Sequence, residues 1–206
     1  MTLDEIIEVI GVKPFYQEPA GVIYCADCLD ILPRIPDKAI DLVLTDPPYG
    51  VRKTEEWDDE DHFCQFIAKW INQLRNNSDR LIWFCAGKMI PYILKTRPPS
   101  DFFRLLIWNK PAGSQYNGAS HNNLWYSMEP ILLFGDREKW NEKGKASKMS
   151  YSIFNARTIA QNQMGHVTTK PLSLIKWLME HHSNDSDIIL DPFLGSGTTA
   201  VAAKQL

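Results

Sequence analysis

Short apolar runs alternate along this chain with longer segments in which apolar residues recur every three or four positions. The short runs predict buried strands, and the longer segments predict amphipathic helices. The predicted strands are 21–27, 41–45, 80–85, 103–108, 129–134 and 187–190, and the predicted helices are 2–10, 28–34, 63–74, 88–96 and 171–183. Thr2 and Glu5 have capping-box spacing, and Gly11 ends the first helix. This order of elements predicts an α/β fold with a mostly parallel sheet.

Composition sets the class of protein. The 206 residues suffice for one well-packed domain, with an ordinary hydrophobic content of 44%. No membrane-spanning run or signal-peptide pattern is present, so we expect a cytoplasmic protein with reduced cysteines. Cys25 and Cys28 have metal-ligand spacing, but no second pair or histidine partner follows at zinc spacing. No metal site is predicted, and both cysteines are interpreted as small buried side chains.

The first candidate site follows the strand at 41–45, where the chain reads Asp46, Pro47, Pro48 and Tyr49. The two prolines fix the backbone and carry no N–H, so the Asp46 carboxylate and the Pro47 carbonyl form adjacent acceptors. Such a pair suits an exocyclic amine, for example N6 of adenine or N4 of cytosine. Tyr49 can stack on a base that has left the duplex. A surface turn is the alternative interpretation.

The second candidate site follows the strand at 187–190. Glycines let the backbone approach a ligand closely, and the start of the next helix offers free N–H groups and positive potential. Ligands of open α/β sheets bind at the carboxyl ends of the strands, where this loop is predicted to lie. The loop residues are Asp191, Pro192, Phe193, Gly195, Ser196, Gly197, Thr198 and Thr199.

Together the two sites carry a family resemblance. TDPPYG at 45–50 and DPFLGSGTT at 191–199 resemble the catalytic and S-adenosylmethionine motifs of prokaryotic amino-methylating DNA methyltransferases. The catalytic turn comes first, as in the permuted group called the β class. The resemblance implies a Rossmann-like, S-adenosylmethionine-dependent methyltransferase fold in circularly permuted order, with helices on both faces of the sheet. Relatives continue into another strand after the glycine-loop helix, so we expect a truncated or split chain.

The resemblance also implies roles for individual residues. Catalysis falls to Asp46, Pro47, Pro48 and Tyr49. Cofactor contacts fall to the glycine loop, to Asp46, and to Asp27, His166, Thr168 and Lys170. The spacing of Asp27 equally predicts an N-cap for the helix at 28–34, and both roles can hold at once.

Basic residues are concentrated between 137 and 170, where seven stand against two acidic ones, although the whole chain has a net charge of −3. Residues 136–165 occupy the place of the relatives' target-recognition region, a small insert in a single domain covering 1–206. We interpret the basic run as a phosphate-contacting face, with a solvated loop as the alternative. The predicted DNA contacts are Lys53, Lys110, Arg137, Lys139, Lys143, Lys145, Lys148 and Arg157.

By resemblance, the expected activity is methyl transfer from S-adenosylmethionine to adenine N6 of a base flipped out of duplex DNA. A homodimer and a cognate restriction endonuclease are further expected partners. Aspartate before Pro-Pro-Tyr favours adenine, and cytosine N4 remains an alternative. Protein-glutamine methyltransferases usually carry Asn at position 46 and place the glycine loop first, which counts against that class. A DNA- or cofactor-binding protein without catalysis is the remaining alternative.

Overall fold

The computed structural model describes residues 1–49, 60–95, 102–111, 127–142, 152–158 and 169–206. Within these ranges the chain forms a six-stranded sheet, a two-stranded hairpin and seven α-helices. The strands are β1 (Tyr16–Glu18), β2 (Gly21–Ile23), β3 (Leu42–Thr45), β4 (Arg80–Phe84), β5 (Phe102–Asn109), β6 (Met128–Gly135), β7 (Ile153–Asn155) and β8 (Ile189–Leu190). The helices are α1 (Leu3–Ile10), α2 (Cys28–Ile31), α3 (Glu60–Asn77), α4 (Ile90–Lys95), α5 (Arg137–Glu142), α6 (Leu172–His182) and α7 (Thr198–Gln205).

The large sheet has the strand order β7-β5-β6-β4-β3-β8. The pairs β3–β4, β3–β8 and β5–β7 are parallel, whereas β6 is antiparallel to both of its neighbours. The prediction of a mostly parallel sheet is confirmed. Because only β6 is reversed, it begins at the edge of the sheet where β3, β4, β5 and β8 end. That edge carries the candidate site.

Side chains of the central strands alternate between two buried layers. Leu81 and Trp83 of β4 pack on one face with α1, α3 and α4, whereas Ile82 and Phe84 pack on the other face with α6 and α7. Strands buried on both faces are continuously apolar, which explains why β3 and β4 stand out in the sequence. Helices therefore cover both faces, as expected.

The capping box and the helical spacing of apolar residues in the sequence correspond to helices α1, α3 and α6. Thr2 accepts from the Glu5 N–H at 3.3 Å and Glu5 accepts from the Thr2 N–H at 2.9 Å, which completes the capping box. Gly11 adopts a left-handed conformation with φ 64° at the end of α1. The apolar faces of α3 and α6 are buried through Trp70, Ile71, Leu74, Leu174, Ile175, Leu178 and Met179. None of the helices described is long and apolar enough to cross a membrane.

Three elements differ from the predictions. The strand expected over 21–27 ends at Ile23 and pairs only with β1, in an antiparallel hairpin outside the main sheet. The reason is that Asp27 turns the chain into α2 instead of extending the strand. Helix α5 and strand β7 were not predicted, since both are short and lie in the polar segment interpreted as a recognition insert.

Candidate active site

The candidate active site begins where buried strand β3 ends. Thr45 is 2% exposed, whereas Asp46 keeps 26% of its side-chain surface exposed, so its carboxylate is the accessible group of the turn. Pro47 is buried behind it and, like Pro48, supplies no backbone N–H that would compete for the carboxylate. The turn therefore presents acceptors at the edge of the sheet.

Two carboxylates and two ammonium groups meet at this turn. Lys170, just before α6, places Nζ 2.5 Å from Asp46 Oδ2 and 3.1 Å from Glu129 Oε1. Lys110, just after β5, donates to Glu129 Oε2 at 2.8 Å. Tyr49 Oη lies 2.7 Å from Glu129 Oε1 and is hydrogen-bonded to Asp46 Oδ1. The buried Glu129 carboxylate and the half-buried Asp46 carboxylate are thus matched by two positive charges.

Strand topology explains how these residues meet. Glu129 lies at the start of antiparallel β6, and the register pairs it with Trp108 near the end of β5. Lys110 follows two residues later and donates its backbone N–H to the Ser127 carbonyl at 2.6 Å. The reversed direction of β6 thereby places an acidic side chain beside the carboxyl ends of the parallel strands.

Burial and charge together set the pKa values in this cluster. Burial raises the pKa of Asp46, the Lys170 ammonium partly offsets this, and the Glu129 carboxylate raises it further. Burial also acts to raise the pKa of Glu129, but Lys170 and Lys110 hold it below its ordinary value. Burial acts to lower the pKa of Lys170, and the two carboxylates overcome it and raise that pKa. Glu129 and Lys170 are therefore charged at neutral pH.

Asp191 connects the catalytic turn to the glycine loop. Its Oδ1 accepts from Thr45 Oγ1 at 3.0 Å and from the Phe193 N–H at 3.1 Å, and its Oδ2 accepts from Thr199 Oγ1 at 2.7 Å. Strands β8 and β3 are parallel neighbours, so their following loops leave the sheet side by side. Burial raises the pKa of Asp191 to about 6 in spite of the three hydrogen bonds.

The glycine loop has the geometry of a ligand cradle. Gly195 and Gly197 adopt φ 55° and φ 82°, and a Cβ added at Gly197 would meet no atom within 4 Å. Helix α7 begins there without a side-chain cap, so its first N–H groups are open to a ligand. Ser196 and Thr198, whose hydroxyls lie 3.2 Å apart, flank Gly197 and belong to this loop.

A cavity of about 970 Å³ adjoins this loop. Asp191, Pro192 and Thr199 line one side of it, and Tyr24 and Cys25 line another. This volume matches ordinary small-ligand sites, and the open glycines and uncapped helix suit the carboxylate end of a nucleoside-linked amino acid such as S-adenosylmethionine. The turn at 46–49 lies outside the cavity lining, and the hydrogen bond between Thr45 and Asp191 connects the two regions.

The structure places the remaining predicted cofactor residues in different surroundings. Asp27 caps α2 by accepting from the Leu29 N–H at 2.9 Å, which confirms the N-cap interpretation. It is exposed next to Ala26 and Cys28 of the cavity lining, and its cofactor contact stays a prediction. Phe193 packs edge-on against Trp70 with ring centroids 4.8 Å apart. His166 and Thr168 lie outside the described residues. Lys170 contacts Asp46, and its cofactor contact stays a prediction.

The predicted DNA contacts separate into three groups. Arg137 and Lys139 on α5 and Arg157 after β7 are exposed. Lys110 is 7% exposed and paired with Glu129, which counts against a phosphate contact, and its DNA contact stays a prediction. Lys53, Lys143, Lys145 and Lys148 lie outside the described residues.

Sequence reasoning missed two residues of this site, Glu129 and Thr45. Glu129 was assigned only to a strand, although an acidic residue opening an otherwise apolar run is a signal that its charge needs a partner. Thr45 precedes the turn at 46–49, and the sequence predicts it only as the last residue of the strand at 41–45. Its hydroxyl role appears only once β8 lies beside β3.

An acceptor turn and a glycine loop on adjacent parallel strands define the class of amino-group methyltransferases with a Rossmann-like sheet. A family model described as DNA methylase, of the N6- and N4-methylating type, matches residues 40–206. The chain therefore belongs to this DNA methylase family, whose methyl donor is S-adenosylmethionine.

Individual relatives agree with this assignment. The chain is 24% identical to the type II methyltransferase M.ScaI of Streptomyces caespitosus, over 98% of this chain and 79% of that protein. It is 29% identical to the type II methyltransferase M.HinfI of Haemophilus influenzae, over 87% of this chain and 60% of that protein. The structure of the cytosine-N4-specific PvuII DNA methyltransferase matches with a TM-score of 0.73 at 17% identity, over 95% of this chain and 82% of that one. At this identity the match shows a shared fold.

Proposed function

We propose that this chain transfers a methyl group from S-adenosylmethionine to N6 of an adenine flipped out of duplex DNA. The observation that carries the proposal is the accessible Asp46 carboxylate, held at the end of β3 by Lys170 and joined to the glycine loop through Thr45 and Asp191. Asp46 and Tyr49 are the catalytic residues, and Pro47 and Pro48 shape the turn. The glycine loop, with Asp191, Thr198 and Thr199, holds the cofactor.

The chemistry assigned to Asp46 follows from hydrogen bonding. An ionised carboxylate only accepts, and so does the Pro47 carbonyl, so together they take the two N–H groups of an exocyclic amine. This orients the nitrogen lone pair toward the donor. Bound S-adenosylmethionine supplies a methyl group already activated by its sulfonium. Asp46 and the Pro47 carbonyl would hold the amine for this methyl group, and the Asp46 carboxylate would be the adjacent acceptor for the amine proton that is lost on transfer.

Lys170 supports this role by opposing the effect of burial on Asp46. Burial and the nearby Glu129 carboxylate raise the pKa of Asp46, and a protonated carboxyl is a poorer acceptor. The ammonium at 2.5 Å favours the ionised form. The Asp46 side chain keeps 26% of its surface exposed.

The choice of adenine over cytosine rests on the aspartate before Pro-Pro-Tyr. Both exocyclic amines fit the same two acceptors, so the geometry of the turn supports either base. The cytosine-N4 specificity of PvuII methyltransferase belongs to that protein. Nucleoside mass spectrometry of methylated DNA distinguishes the two products, and N4-methylcytosine in place of N6-methyladenine would contradict the proposed base.

The decisive assay measures labelled methyl transfer from S-adenosylmethionine to unmethylated bacterial DNA. We expect the wild type to produce N6-methyladenine and Asp46→Ala to lose activity by about 100-fold or more while still binding the cofactor. Asp30→Ala removes an exposed aspartate of α2 and serves as the matched control, with activity unchanged. Near-normal activity of Asp46→Ala would refute the assignment of Asp46.

DNA binding is assigned to exposed basic residues of the candidate recognition insert at 136–165. Arg137 and Lys139 follow the end of β6, whereas Arg157 follows the end of β7 at the opposite edge of the sheet. Phosphate contacts release counterions, so each lost contact reduces the dependence of log K on log salt by about one. We expect Arg137→Gln with Lys139→Gln to weaken DNA binding across all sequences and to flatten that dependence. Arg104→Gln on β5 removes an exposed charge outside the insert and is the control. Equal salt dependence in both variants would contradict a DNA contact at Arg137 and Lys139.

A further inference from the structure

We propose that Glu129 is a positioning residue that takes over the hydrogen bonds of Tyr49 and Lys170 when Asp46 accepts the target amine. Both donors contact Asp46 in the structure, one at each carboxylate oxygen. An incoming amine needs acceptor capacity on the same carboxylate. This inference rests on the methyl transfer proposed at Asp46.

Glu129 is placed to receive both donors. Its Oε1 lies 2.7 Å from Tyr49 Oη and 3.1 Å from Lys170 Nζ. A transfer of the two hydrogen bonds from Asp46 to Glu129 thus requires no passage through water and leaves no donor unpaired. Pairing matters in a buried site because a donor left without an acceptor costs more free energy than one hydrogen bond contributes.

The Tyr49 hydroxyl has a single hydrogen and two carboxylate oxygens beside it. It donates to one of them at a time, and rotation about the C–O bond changes the acceptor without moving the ring. Burial and both carboxylates raise the pKa of Tyr49 well above its ordinary value, so the hydroxyl keeps that hydrogen. Tyr49 therefore has a carboxylate acceptor in either state, Asp46 or Glu129.

Lys110 holds the Glu129 carboxylate in place. Its Nζ donates to Glu129 Oε2 at 2.8 Å and lies 4.4 Å from the centroid of the Trp108 ring. The side chains of Lys110 and Glu129 are only 7% and 10% exposed. One oxygen of Glu129 is thus occupied and held in place, and the other faces Tyr49 and Lys170.

The charge of Glu129 also acts on Asp46. The titratable groups that face Asp46 in the described part of the chain are Tyr49, Cys85, Glu129, Lys170 and Asp191, with Lys110 acting through Glu129. Among them Glu129 raises the pKa of Asp46, and Lys170 lowers it. Glu129→Gln therefore lowers the pKa of Asp46 and also leaves Lys170 and Tyr49 bound to it. Turnover falls while the ionised form of Asp46 persists to lower pH.

The test compares steady-state kinetics of the wild type, Glu129→Gln and Glu8→Gln. Glu8 is exposed on α1, so its replacement removes an equal charge away from the site. For Glu129→Gln we expect kcat to fall by about tenfold or more, with the KM for S-adenosylmethionine within about threefold of the wild type. The acid limb of the kcat profile moves to lower pH. A fall in kcat without this movement would indicate a merely structural role and overturn the inference.

Glu129→Gln leaves the Lys110 ammonium without its buried partner and could therefore unfold the protein. The double variant Lys110→Met with Glu129→Gln removes one charge of each sign and avoids this problem. We expect it to fold and to retain the low kcat, and wild-type kcat in this variant would overturn the inference. Carbon-13 NMR titration of Asp46 provides a readout without turnover. An Asp46 pKa that is the same in the wild type and in Glu129→Gln would overturn this inference alone. A wild type that methylates no DNA would overturn the proposed function.

Discussion

Asp191→Asn tests the electrostatics of the glycine loop through stability. The carboxylate is enclosed between β3, β8 and α7, and burial raises its pKa from 3.8 to about 6. Asparagine has nearly the same shape. Its oxygen keeps the bonds from Thr45 and the Phe193 N–H, and its amide group donates to the Thr199 hydroxyl, which accepts instead of donating. The substitution therefore removes the ionisation and retains the three contacts.

The magnitude and sign follow from proton linkage. A folded pKa raised above the unfolded value means that the wild type gains stability from protonated Asp191 below about pH 3.8, and loses that stability as the pH rises to about 6. At about 1.4 kcal/mol per pH unit, the loss amounts to about 3 kcal/mol. The asparagine side chain does not titrate, so the variant should match the wild type near pH 3.5 and exceed its free energy of unfolding by up to about 3 kcal/mol above pH 6.5.

Urea unfolding of the wild type and of Asp191→Asn, at half-unit intervals from pH 3.5 to 8, measures this difference. For a chain of this size about 3 kcal/mol corresponds to roughly 6–12 °C in Tm, well within reach of calorimetry. Asp185→Asn, at an exposed position before β8, is the control and should show no such dependence on pH. A difference between wild type and Asp191→Asn that is constant across the pH range would refute the reasoning, because it would mean that burial leaves the charge of Asp191 unaffected.

Three further substitutions test the packing around the sheet. Arg80→Met removes the cation that lies 3.0 Å from Asp187, with both side chains 3% exposed, and should lower the free energy of urea unfolding by about 3–5 kcal/mol. Gly135→Ala should cost about 3 kcal/mol or more in the same assay, because φ is 136° and the new Cβ would collide with the Asp79 carbonyl, whereas Gly21→Ala has open space. Burial, His181 and Arg80 lower the pKa of His182 to about 4. The contribution of His182 to stability therefore falls by about 3 kcal/mol as the pH falls from 6.5 to 4, and His182→Asn should remove this dependence on pH. Unfolding titrations across that pH range measure it, and an unchanged acid slope would contradict the prediction.

Much of the fold was predictable because its signals are local. Strands β3, β4 and β6 are continuous apolar runs, since each is buried on both faces. The start of α1 follows from Thr2 and Glu5, three residues apart, and the buried face of α6 follows from its helical spacing. Such features are decided by neighbours in sequence, so sequence alone is sufficient for them.

The ionic cluster was not predictable for the opposite reason. Lys170 and Asp46 are 124 residues apart, and their contact depends on how α6 and β3 meet at the edge of the sheet. The pairing of Lys110 with Glu129 depends on the antiparallel register of β5 and β6. An exposed phosphate contact and a buried ion pair look alike in a sequence, which is why Lys110 was assigned to DNA.

The pH predictions for Asp191 and His182 have opposite signs in nearly the same range. Ionisation of Asp191 lowers stability as the pH rises toward 6, while deprotonation of His182 increases it as the pH rises toward 6.5. In the wild type the two contributions offset each other, so each is measured as the difference in unfolding free energy between the wild type and the variant that lacks that group. A buried aspartate that lowers stability at neutral pH is not explained by packing. At the junction of the acceptor turn and the glycine loop, its charge and its three hydrogen bonds are better explained as a means of holding those two loops in register for a ligand.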